Sequence, residues 1–168
     1  NHRYRLQRQS YTGMLVYPDD DWSAFGPGDQ TNAERVYDPC LVTAIYDRNE
    51  TTATDYMERL ANPVQMLHIR SHGYPGGHGF SEADGEDWGN VTCATYRDID
   101  PQARFYSLFV CSGCDYTAAD FLGGTTVLNP EGGGLLAVGS TKSGGMLDDV
   151  HFYTSLQLSA CFGRAFVS

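Results

Sequence analysis

Five apolar runs divide the chain, at residues 12–17, 41–46, 63–70, 104–110 and 132–141. They are short, rich in branched and aromatic residues, and stop at Gly, Pro, Asp or Ser. That is the pattern of strands covered on both faces. Between the second and third runs, Thr52–Leu60 has helical spacing: Thr52 can cap with Asp55 three residues on, and Tyr56, Met57 and Leu60 fall on one face. A second helix is expected over Asp115–Leu122, with an acidic first turn and a stop at Gly123-Gly124. A third is expected after Asp148-Asp149, where Val150, Tyr153, Leu156 and Ala160 recur at helical spacing. Residues 18–34 and 73–102 read as loops, and 1–10 as a polar leader. Strands alternating with helices predict an α/β protein, a three-layer α/β/α domain with a mainly parallel sheet.

A length of 168 residues fits one domain, 1–168, with a sizeable core. The start at Asn1, without an initiator Met or signal-like segment, leads us to expect a piece processed or excised from a longer chain, with flanking domains. A formal net charge of −10 and a pI near 4.7 argue against nucleic-acid binding, because no basic stripe is present to meet phosphates. No apolar run approaches membrane-spanning length. The cysteines are Cys40, Cys93, Cys111, Cys114 and Cys161. An odd number spread over strands and a helix is not a disulfide framework, so at least one thiol should stay free.

Two run ends carry candidate chemistry. The run 63–70 leads into Ser71-His72-Gly73, and the run 104–110 leads into Cys111-Ser112-Gly113-Cys114. Ligands of open α/β sheets bind outside the carboxyl ends of the strands. If these two strands are parallel neighbours, an imidazole and a thiol emerge at one rim, where a His can assist a Cys as nucleophile.

These residues resemble the caspase-like clan of cysteine peptidases, which includes caspases, legumains, clostripains and gingipains. Gingipain-like domains are the most similar of these, over roughly residues 41 to 166. The likeness is carried by the helix Thr52–Leu60 leading into Val64–Gly73, the Cys114 segment, the stretch 133–141 and the closing Cys161–Phe166. It implies an endopeptidase acting on protein or peptide substrates, with no cofactor and a secreted or cell-surface setting. It places the nucleophile at Cys114 and the catalytic His at His72, with Cys111 structural inside the strand end. The N–H groups of Gly73 and Cys114 would form the oxyanion hole, each such donor stabilising the developing charge by ~2.7–4 kcal/mol. Ser140, Thr141 and Lys142 match the region lining the substrate pocket, and Lys142 there would favour acidic side chains. Asp115 is expected to raise the neighbouring thiol's pKa.

Other readings compete. The domain could be a catalytically weakened clan member serving as a binding or assembly module. Cys111-Ser-Gly-Cys114 has the spacing of a thiol-disulfide oxidoreductase, with Cys111 as nucleophile. The same pair with His68 and His72 could bind zinc. Asp84, Glu86 and Asp87, in the acidic stretch 81–90, are candidate calcium ligands, although their spacing departs from that of an EF-hand. His78 reads as a solvated loop residue.

Overall fold

The computed structural model describes residues 13–82, 85–130 and 133–144. Five strands form an all-parallel sheet: β1 (Met14–Pro18), β2 (Val42–Ala44), β3 (Val64–Arg70), β7 (Ala103–Phe109) and β8 (Leu136–Gly139), in the order β2-β1-β3-β7-β8. The order reverses between β1 and β3, because the chain goes outward to β2 and then crosses back. Outside the carboxyl edge at such a reversal is where open α/β sheets generally bind ligands. A second, antiparallel sheet follows β3: β4 (His72–Tyr74), β5 (Gly77–Ser81) and β6 (Trp88–Thr92).

Alternation along the parallel strands sorts the core into two faces. Leu15, Tyr17, Leu67, Ile69, Tyr106, Leu108 and Val110 share one cluster with Tyr56 and Leu60 of helix α2 (Ala53–Leu60) and with Phe80 and Val91 of the small sheet. Met14, Val16 and Met66 face the other way and pack with Ala33 of helix α1 (Gly26–Glu34). Helix α2 follows its pattern closely: the Thr52 hydroxyl accepts from Asp55 N–H at 3.2 Å, and Tyr56 and Leu60 are buried.

The segments expected to be loops carry much of the remaining structure. Residues 20–34 are helical, a 3-10 turn Asp20–Phe25 running into α1. Pro27 lies in the first turn, where its missing N–H is harmless, and the helix has no apolar stripe for periodicity to detect. Pro75-Gly76 makes a tight turn that folds 72–81 into a hairpin, so His78, expected in solvent, is a fully buried strand residue. Helix α3 (Cys93–Ile99) starts at a Thr92–Thr95 capping box.

Conversely, the helix expected over 115–122 is a series of turns. Asp115 accepts from Thr117 N–H and Oγ1, at 3.1 and 2.6 Å, and this local bonding competes with a helix. The helix present is α4 (Leu122–Leu128), which takes the expected stop glycines inside itself. A Cβ on Gly123 would stand 2.6 Å from Cys114 Sγ. The helix expected after Asp148-Asp149, the leader 1–10 and Cys161 lie outside the described residues. Among the described residues no helix is long and apolar enough to cross a membrane.

Candidate active site at the carboxyl edge

The edge is built where β1, β3 and β7 end. The ladder runs past the strands themselves: Asp19 N–H donates to Arg70 O at 2.8 Å, and Ser71 N–H to Phe109 O at 3.2 Å. The pairing of β3 with β7 ends at Arg70–Phe109, after which His72 enters β4 and Cys111 enters a turn. His72 shares its face with Arg70 and His68, and its ring lies against Trp22, which also contacts Phe109. Val110 belongs to the opposite cluster, and Cys111 follows it.

Cys111 occupies the corner of a tight turn. Gly113 N–H donates to Val110 O at 3.2 Å, and Ser112 has φ 56°, the positive φ that a type II turn requires at its third position. A non-glycine residue held there stores strain, which recurs at functional corners. Cys114 goes elsewhere. It packs against the cluster of Val110 and Leu108, with Sγ against the backbones of Gly123 and Gly139, and burial pushes its thiol above the usual range. Burial is the cause here, and Asp115, expected to act on this thiol, is engaged with Thr117. The Cys114 N–H, expected in the oxyanion hole, donates to Ser140 O at 2.9 Å. The four cysteines among the described residues, Cys40, Cys93, Cys111 and Cys114, are free thiols.

His72 Nε2 lies 2.6 Å from Asp21 Oδ2. An ionised carboxylate only accepts, so the shared proton sits on Nε2 and Nδ1 of the neutral ring keeps its lone pair. Trp22 and Trp88 flank the imidazole at ring-centroid distances of 4.5 and 5.1 Å. Sequence reasoning missed Asp21, which is 51 residues from His72. Its only signal was an acidic triplet, Asp19-Asp20-Asp21, directly after a predicted strand. Gly73 opens β4. With Tyr74–Gly77 closing the hairpin as its hydrogen-bonded pair, Gly73–His78 is a non-bonded pair, and the Gly73 N–H points away from β5. A Cβ at Gly73 would meet Val110 Cγ1.

Beneath His72, Arg70 grips Asp29 of α1 with Nε and Nη2 at 2.6 and 2.8 Å, sandwiched between Phe25 and Phe109. Burial works to raise the Asp29 carboxyl, but hydrogen bonds and charge from His68 and Arg70 outweigh it and hold it at about 2. On the other face, Ser71, His78, Tyr96 and Tyr56 form a buried hydrogen-bonded chain, and burial drives the His78 imidazole down to about 3.

Of the pocket candidates, Ser140 and Lys142 touch the cysteine turn through backbone: Ser140 O accepts from Cys114 and Lys142 O accepts from Ser112 N–H. Thr141 and Lys142 are exposed. Comparison with protein-family models and with curated proteins finds no match to this chain. Among the described residues no three His, Cys, Asp or Glu side chains gather as a metal site. His68 bonds Ser107 at 2.8 Å on the face opposite Cys114, and Asp84 lies outside the described residues while Glu86 and Asp87 join no such group.

Proposed function

We propose that this protein is a cysteine endopeptidase of caspase-like fold, cleaving peptide bonds with His72 as base and with Cys111, rather than Cys114, as nucleophile. The observation that supports the reading is the parallel pairing of β3 and β7, whose carboxyl ends lead into His72 and Cys111, together with the hydrogen bond between the imidazole and Asp21. In this scheme His72 Nδ1 takes the thiol proton, and the thiolate attacks the carbonyl carbon. The outward N–H of Gly73 is the donor for the oxyanion in this scheme. His72 then returns the proton to the leaving amine, and water releases the acyl group.

The packing of Cys114 Sγ on the far face speaks against a redox pair with Cys111. The test is site-mapped alkylation with iodoacetamide in the wild type and in His72→Ala, Cys111→Ser and Cys114→Ser. Fast labelling at Cys111 that collapses without His72 and survives Cys114→Ser is the expected result. Fast labelling at Cys114 returns the nucleophile to that residue, and an isolable Cys111–Cys114 disulfide favours the oxidoreductase. A protein with no fast thiol is a binding or assembly module instead.

A further inference from the structure

Asp19 is fully buried at the end of β1, and no step of the proposed reaction uses it. Its backbone N–H holds Arg70 O, two residues before His72. Its backbone carbonyl accepts from Trp22 N–H at 2.7 Å, and the Trp22 ring packs on His72. Its side-chain Oδ2 accepts from Ser81 N–H at 3.1 Å, and Ser81 pairs across the small sheet with Trp88, the other ring on His72. One residue thus joins all three segments that surround the imidazole. The two backbone bonds close the strand and open the 3-10 turn, and the third, from the carboxyl, reaches into the small sheet.

The carboxyl is also incompletely satisfied. Asp19 Oδ1 and Thr51 Oγ1 are both buried without a hydrogen-bond partner, although the Thr51 hydroxyl stands near enough to act on the carboxyl. A buried carboxylate with one oxygen unmatched works against the fold. An apolar or amide residue of the same size would pack there at less expense in stability. The carboxyl is therefore better explained by what it holds than by what it contributes to folding.

We infer that Asp19 is a positioning residue of the His72 site: its buried carboxyl ties the end of β5 to the end of β1 and so sets Asp21, Trp22 and Trp88 around the imidazole. The inference rests on the proposed hydrolase only for its rate readout, because the aromatic cradle can be followed independently. Both tryptophans of the chain flank His72, so intrinsic emission is a local reporter. A protonated imidazole quenches a neighbouring indole, and the pH-dependent step in emission that His72→Ala removes is the signature of the cradle.

The experiment compares wild type, Asp19→Ala, Asp19→Leu and Asp19→Asn. Leu keeps the volume without an acceptor, which covers failure of the Ala variant to fold, and Asn keeps an acceptor for Ser81 N–H. The expected result is loss of the His72 emission step in Asp19→Ala or Asp19→Leu and its return in Asp19→Asn. Cys111 alkylation should fall on the order of tenfold to a hundredfold with the step and recover with it, as for a slight misplacement of a reacting group. An unchanged step in a folded Leu or Ala variant overturns the inference, and so does failure of Asn to restore it. If the wild type shows no fast thiol, the hydrolase reading fails while the emission step still decides the role of Asp19.

Discussion

At Ser112 the backbone turns through φ 56° without a glycine, next to the thiol that shares a rim with His72. Holding an L-residue there costs about 1–2 kcal/mol, so Ser112→Gly should raise the denaturation free energy by about 1 kcal/mol, measured by urea titration. Asp21 presents the opposite case. Its pair with His72 is exposed on both sides, and exposed pairs contribute little to stability. Asp21→Asn is expected to leave the melting temperature nearly unchanged yet slow Cys111 alkylation by about tenfold or more, since an amide can present the wrong group to Nε2. Equal melting and equal alkylation would remove Asp21 from the site. The ends of the two apolar runs, at His72 and at Cys111–Cys114, were legible in the sequence. The seat of Cys114 was not, because both cysteines follow one strand and the turn at Ser112 carries Cys114 into the packed cluster.

The parallel sheet was legible because buried strands show as apolar runs, and α2 because its cap and its stripe agree. The 3-10 turn and α1 were hidden: Gly26, Pro27 and Gly28 resemble a loop, and what binds the helix to the sheet is the Asp29–Arg70 pair, which leaves no periodic trace. The small sheet was hidden by its glycines, which serve close packing; a Cβ at Gly77 would stand 2.9 Å from the Tyr74 hydroxyl. At the far side of the site, β8 and the cysteine turn meet through Gly139, where a Cβ would lie 2.8 Å from Cys114 Sγ and 2.9 Å from Leu108 O. Gly139→Ala must therefore push the turn outward. The expected loss is about 1–3 kcal/mol by urea titration, as for overpacking generally. It should be accompanied by a changed Cys111 labelling rate, because Cys114 N–H is bonded to Ser140 next door.

At the scale of the molecule, three buried groups among the described residues shape stability on the acid side of neutrality. His78, ordinarily near 6.5, titrates near 3 in the fold, so the stability it supports is present above pH 6.5 and drains as pH falls toward 3. Asp29, lowered from 3.8 to about 2, adds a second loss between those values. Asp19 runs the other way: burial raises it from 3.8 to about 6, so its contribution is full below pH 3.8 and lost as pH rises through 6. From pH 6 down to about 3.8 the His78 loss and the Asp19 gain offset each other, and below that nothing opposes the fall. Urea midpoints should hold a shelf between about pH 4 and 6 and then drop steeply, and Asp19→Asn should turn the shelf into a slope. A shelf that survives Asp19→Asn would assign the offset to other groups. The seat of Cys114 bears on how the protein ages in air. An oxygen added to that sulfur has to press into the backbones of Gly123 and Gly139, so peroxide should oxidise Cys114 slowly in the folded protein and readily once urea has opened it, as peptide mass mapping would show.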